Sequence, residues 1–216
     1  MSKLSFAIRR AHMRAALITA GNQDIRYYLN GLLFEVTPAA VFIVSADGHR
    51  LSVFRDDTDA RLVDESAPTE RLQFIVPRDA IAQIKPDRLI DRVIVSFDSD
   101  AGTYSIKDVA NSAEFSGPLV DGRFPDWRPV VPHRADGTAA QLNPAYVGDL
   151  AKIAKALGHT KSCATIHHNG HAGALITHAS SPEYLGVILP MRNDDGLPNV
   201  AAFLRDGTEP AMRLAA

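Results

Sequence analysis

An α+β fold made of three units, each a helix packed on antiparallel sheet, is predicted by three features of the sequence. Segments with helical apolar spacing each precede a group of short runs rich in branched and aromatic residues. Turn signals such as Asp47-Gly48 and Asn169-Gly170 separate those runs. The order of one helix and then several strands recurs three times, so each helix has a sheet face to cover.

The elements follow in order. Residues 3–18 read as a helix, with Phe6, Ala7, Met13 and Leu17 in one apolar stripe beside Ile8, Ala11, Ala15 and Ile18. Gly21-Asn22 stops it. "IRYYLNGLLFEV", with Asn30-Gly31 as a turn or bulge inside it, and "AAVFIVSA" read as strands, and "HRLSVFR" follows the Asp47-Gly48 turn. Residues 56–70 are polar and read as a connection. "RLQFIVPRDAIAQIK" reads as a strand leading into a short helix that Pro86 ends. "RVIVSFD", "TYSIKDV" and "AEFSGPLV" give three more strands, so residues 1–132 hold two units of one pattern. Residues 132–139 have the composition of a linker. Asn143 can cap a third helix with Pro144 at its first position, and "AYVGDLAKIAKAL" runs to Gly158. "CATIHH", "HAGALITH" and "YLGVILPMR" complete a third unit over 133–192, and 193–216 is expected to be a loosely held tail.

Composition removes several function classes. With 46% hydrophobic and 22% charged residues the chain is not a disordered polyelectrolyte. No apolar run approaches the ~18–20 residues of a membrane span. The N-terminal stretch is charged throughout, unlike a signal peptide. The single cysteine, Cys163, excludes an internal disulfide, fits a cytoplasmic location, and is expected to be a small apolar filler. A net charge of −2 argues against bulk coating of nucleic acid but permits a local basic face.

Two clusters invite a chemical reading. Asp47-Gly48-His49-Arg50 joins residue types that catalytic sites use, yet no serine or cysteine nucleophile sits in a motif with them, so a displayed turn is expected. His168 and His171 could approach across the Asn169-Gly170 turn, with His167 and His178 nearby, but a carboxylate or thiolate third ligand is missing. A solvent-facing hairpin is expected there, with no metal and no cofactor. Lys3, Arg9, Arg10 and Arg14 decorate the first predicted helix, and no acid lies between Lys3 and Ala20. These cations form either a solvated face or one that meets DNA phosphates. Lys152 and Lys155, with Lys161, make a weaker patch opposed by Asp149. Contacts of this kind would be sequence-independent and salt-sensitive. Trp127 is expected to be a packing anchor.

"DIRYYLNGLLFE", "ADGHRL", "VDGRFPDWRPVVP" and "VILPMR", taken together, resemble the bacterial DNA polymerase III beta subunit, the sliding clamp. Residues 4–132 are similar to its middle domain, and 141–192 to the second half of its C-terminal domain. The resemblance implies a shortened relative without the family's first domain or the first half of its last, with a somewhat shorter helix before "QDIRYY" and an uncharacteristic tail. It implies a DNA-clamp fold and a non-enzymatic ring or arc whose helices face DNA and whose sheets meet edge to edge between neighbours. Polymerase- or clamp-loader-type partners would insert a short apolar peptide with a glutamine between the middle and last domains.

Carried over by residue, that pocket comprises Leu29, Ala46, Gly48, His49, Arg50 and Leu51, then Pro125, Pro129 and Val130, then Val187, Ile188, Leu189, Pro190 and Met191. Ala46 stands where a threonine is common, and Pro129 where an arginine is common. Independently of the family, a peptide groove needs apolar walls, each fully buried anchor being worth ~1.5–3 kcal/mol, and a few polar groups for register. The leucines, valine, isoleucine and methionine here suit the walls, and His49 and Arg50 suit the rim. Three units would also leave the third helix without the helix that usually pairs with it. Its Tyr146, Val147, Leu150, Ile153, Ala154 and Leu157 therefore predict a homodimer whose third units complete one another. Twelve units close the family's ring, so four chains would match that number. The alternative is a reduced clamp mimic that binds partners of a clamp as a decoy or regulator without encircling DNA.

Overall fold

In the computed structural model, residues 3–191 are described except 57–67, 69, 88, 160 and 162. Most of the 56–70 connection and the tail from 193 lie outside the described residues.

The chain opens on alternation. Leu4, Phe6 and Ile8 are all buried, and Lys3–Arg9 forms strand β1, paired with β6 (Arg92–Asp98) in the register Ser5↔Ser96 and Phe6↔Val95. Helix α1 is only Arg10–Ala16. The helical reading of 3–18 thus fails in its first half. The period-two row Leu4-Phe6-Ile8 outcompetes the looser helical stripe because β6, some 90 residues away, offers a ladder. Tyr27–Leu29 is a 3-10 turn rather than part of a strand. Asn30 closes it by exchanging two hydrogen bonds with Asp24, accepting from its N–H (2.9 Å) and donating to its carbonyl (2.8 Å). Gly31 then begins β2 (Gly31–Val36). A methyl group at Gly31 would meet the Val76 carbonyl oxygen at 2.6 Å, so strand β5 (Leu72–Pro77) can approach only glycine there.

The remaining elements are β3 (Val41–Ala46), β4 (Arg50–Asp56), α2 (Arg78–Ala82), β7 (Thr103–Asp108), β8 (Ala113–Pro118), α3 (Pro144–Ala156), β9 (Ala164–His167), β10 (Ala174–His178) and β11 (Tyr184–Ile188). All pairings are antiparallel. One sheet has the order β1-β6-β7-β8, and the other β5-β2-β3-β4-β11-β10-β9. The expected repeat is present with a twist that periodicity does not show. Each of the first two units lends its leading strand to the other's meander, β1 to β6 and β5 to β2. The third unit joins by pairing β11 with β4, Val187 opposite Leu51.

The seven-stranded sheet is buried on both faces where β2 crosses it. Leu32, Phe34 and Val36 face the main core, where Phe74 stacks on Phe97 at 4.4 Å. Full burial of a side chain such as Phe34 contributes about 1.5–3 kcal/mol. Leu33 points the other way with Val44, Val53 and Ile75, and the strap from Leu119 to Val131 covers them with Phe124 and Trp127. Glu35 also lies on this face, fully buried. Burial would raise its carboxyl, but hydrogen bonds from Arg128 and Gln73 hold it below the ordinary range.

The third helix starts as its sequence requires, with Asn143 Oδ1 accepting from Ala145 N–H at 2.9 Å, and ends at Gly158 with φ 87°. It does not lack a companion. It packs on α1, burying Ile153 and Ala154, while Tyr146, Leu150 and Leu157 lean on the main core. Ile153 and Ala154 thus find within the chain a helix that the sequence reading did not expect. Cys163 is exposed and is no core filler. Among the described residues no helix is long and apolar enough to cross a membrane.

Candidate functional site

A groove of about 150 Å³ opens where β4, β11 and the strap meet. Its floor is Leu29, Leu51 and Val187, all at most 5% exposed, with Ala46 beside them. One wall is the strap, through Phe124, Pro125, Asp126, Trp127 and Val130. Leu189 and Val130, both exposed, form the apolar edge, and Arg26, Gly48 and Arg50 the polar one. Three chain segments far apart in sequence converge here because β11 extends β4's sheet and the strap crosses behind it.

Nine of the fourteen sequence-predicted pocket residues line the groove: Leu29, Ala46, Gly48, Arg50, Leu51, Pro125, Val130, Val187 and Leu189. Five do not. Ile188 alternates to the opposite face and is 2% exposed in the main core. His49 is exposed and faces the Tyr146 ring at 6.2 Å. Pro129 is exposed within a short 3-10 turn, and Pro190 and Met191 lie beyond the groove's edge, where Met191 N–H donates to the Gln141 carbonyl.

The structure corrects the role expected of Arg50. It is not a free rim donor, being 11% exposed with each of its three guanidinium nitrogens hydrogen-bonded. Nε donates to Asp47 Oδ2 (2.8 Å), Nη1 to Asp149 Oδ2 (2.5 Å) and Nη2 to the Ile18 carbonyl (3.1 Å), and the guanidinium lies 4.5 Å from the Tyr146 ring centroid. Asp47 shapes the turn by accepting from His49 and Arg50 N–H, while Gly48 has φ 89°. That turn presents walls and is no catalytic group.

Arg26, Phe124, Asp126 and Trp127 are groove residues that the sequence reading left out of the pocket. A methyl on Gly48 would collide with the Arg26 guanidinium, which covers that turn and donates to the Asp47 carbonyl at 3.0 Å. Hydrogen bonds from Arg26 hold Asp24 down to about 2. Trp127 is the packing anchor expected of it, 9% exposed against Phe42, and it also lines the groove. Its Nε1 is buried with no acceptor among the described residues. The apolar cluster around Leu33 and Val53 needed a cover, and "FPDWRP" was the sequence signal that could have supplied it.

The six predicted DNA-facing cations do not form one stripe. Arg10 is buried, bidentate to Asp108 (2.8 and 2.9 Å), and also donates to the Lys85 and Ile90 carbonyls. It cannot meet a phosphate. Arg9, at the end of β1, pairs with Asp91 (3.3 Å) and Glu183 (3.2 Å). Lys3 sits at the far end of β1, in a separate hollow with Asp98 and Ser96. Arg14 is half-buried, donating to the Ile84 carbonyl, and faces no carboxylate within ion-pair reach among the described residues. Lys152 is 72% exposed beside Asp149, and Lys155 is exposed. The acids that neutralise Arg9 and Arg10 come from β7 and from loops that the local sequence does not reveal.

The histidines disperse. His167 Nε2 bonds Thr177 Oγ1, His168 Nδ1 accepts from Ala140 N–H, and His178 is buried against His159 with ring centroids 5.0 Å apart. Burial, and then His159, lowers the His178 pKa. His178 therefore departs from the solvent-facing hairpin expected for it. Among the described residues no cluster could hold a metal.

A family model described as the DNA polymerase III beta subunit, central domain, matches residues 5–126. A beta sliding clamp from Pseudomonas putida is 32% identical over 189 residues, 82% of this chain. The chain belongs to the DNA polymerase III beta subunit family. A beta sliding clamp from Vibrio cholerae is 31% identical over 141 residues, 63% of the chain. The chain spans less than half the length of these curated relatives, 45% and 36% respectively. A crystal structure of the Pseudomonas aeruginosa DNA polymerase sliding clamp superposes with a TM-score of 0.65, covering 88% of this chain and 66% of that one. At 22% identity that likeness gives the sliding-clamp fold. The residues matched by the central-domain model, 5–126, run from β1 through β8.

Proposed function

We propose that this chain is a non-enzymatic, DNA-associated scaffold of the sliding-clamp type. Its groove holds short peptide segments of polymerase- or clamp-loader-type partners. The observation that carries the reading is the groove itself, a preformed apolar floor of Leu29, Leu51 and Val187 walled by the strap and framed by few polar groups. Such a lining suits two or three apolar anchors, with Arg26 at the rim for register. Each sheet has two edge strands among the described residues, β1 and β8 in one and β5 and β9 in the other, and self-association through such edges fits an oligomeric scaffold.

The test uses Trp127, the only tryptophan in the sequence. Titration with a synthetic apolar peptide containing glutamine should change its emission with micromolar affinity. Leu51→Ala should weaken that binding about ten-fold, the equivalent of ~1.4 kcal/mol. A wild-type protein silent to the peptide by both fluorescence and calorimetry overturns the groove reading.

A second reading is favoured by the pairing of Arg9 and Arg10 with acids, which leaves fewer cations for phosphate. The chain would then occupy partners of a clamp as a mimic without holding DNA. Retention on circular but not linear duplex supports the scaffold. Peptide binding with no duplex binding at low salt supports the mimic.

A further inference from the structure

We propose that Asp149, on α3 and outside the groove lining, is a positioning residue that sets the groove rim through Arg50 and thereby couples seating of the third unit to peptide binding. This rests on the groove reading above.

The chain of contacts is short. Asp149 Oδ2 takes Arg50 Nη1, and Arg50 Nε reaches Asp47 Oδ2. The other Asp47 oxygen fixes the N–H groups of His49 and Arg50. This is the turn that hands Ala46, Gly48 and Leu51 to the groove. The third unit grips the same turn twice more, through Leu189 N–H to the His49 carbonyl (2.8 Å) and through Tyr146 under the Arg50 guanidinium. Arg50, Asp47 and Asp149 are each less than a fifth exposed, so these are charge-assisted bonds shielded from bulk water. Burial alone would raise the Asp149 carboxyl, yet Lys152 and Arg50 hold it below the usual range, and it is ionised at neutral pH.

Removing the Asp149 charge frees one arm of a guanidinium that borders an apolar groove. Arg50 then has Asp47 as its remaining carboxylate and is no longer held back toward α3. By linkage, a peptide that needs the rim in its present place also favours the seated third unit.

The experiment measures peptide affinity for wild type, Asp149→Asn, Asp149→Glu, Arg50→Met and the Asp149→Asn/Arg50→Met pair, each shown to be folded by its urea midpoint. Asp149→Asn should bind at least five-fold more weakly, Asp149→Glu should recover part of the loss, and Asp149→Asn should add nothing once Arg50 is methionine. Equal affinity of wild type and Asp149→Asn overturns the proposal, as does an additive cycle. Hydrogen exchange on the ligand-free proteins decides it even if the wild type takes no peptide, an outcome that defeats the groove reading separately. Faster exchange at the His49 and Arg50 amides in Asp149→Asn supports the positioning role, and unchanged exchange overturns it.

Discussion

The groove and the cationic stretch at the N-terminus read alike in the sequence, as clusters of residue types that suit a partner. They fare differently in the fold. The groove's apolar residues come together, because Leu29, Leu51 and Val187 lose water by meeting one another. The cations come apart. Arg10 is taken by Asp108 and Arg9 by Asp91 and Glu183, while Lys3 is carried away along β1. An apolar side chain is satisfied by almost any apolar neighbour, whereas a guanidinium's fate depends on which carboxylate the fold delivers. A run of basic residues without acids is therefore a weaker sign of a nucleic-acid face than its local charge suggests.

The largest effect that would break this contrast concerns Arg10. If it is structural, Asp108→Ala leaves a buried, unpaired guanidinium and should destabilise the protein by about 3–5 kcal/mol in urea unfolding. A change near zero would return Arg10 to the surface and to phosphate binding. A smaller effect follows from acid. Hydrogen bonds from Arg10 lead in holding Asp108 down to about 2, below its ordinary 3.8. The depressed pKa means that the folded state favours the ionised form. Its contribution is complete above about pH 4 and is lost as pH falls through about 2. Urea midpoints of the wild type should fall across that window, and the Asp108→Ala variant should lack this part of the fall. Identical acid dependence in both proteins would place the titrating carboxylate elsewhere.

Much of the fold was legible, for reasons that individual residues display. β6, β7 and β11 alternate or run apolar between clear turns, and Asn143-Pro144 marks the start of α3 to the residue. The N-terminal strand was not, because Leu4, Phe6 and Ile8 fit a helix and a strand equally well until β6 is supplied. In the groove, Leu29, Leu51 and Val187 followed from pattern and resemblance, but Ile188 shows the limit, since one residue's step along a strand reverses its face. Arg50 was placed correctly at the groove and given the wrong task, because Asp149 lies 99 residues away. Trp127 was recognised as an anchor, but its share in the wall depends on the strap's path across the sheet, which no local spacing encodes.

The exchange of leading strands has a consequence for synthesis. β1 leaves the ribosome well before β6, since Ser5 pairs with Ser96, made 91 residues later. At roughly 5–20 residues per second, the strand waits on the order of 5–20 s with Leu4, Phe6 and Ile8 unpaired. The first unit's meander cannot shelter them, since its own outer edge awaits β5. The two units therefore mature together after β6 has been made, and the nascent chain is most exposed to aggregation or chaperone capture in the interval before that.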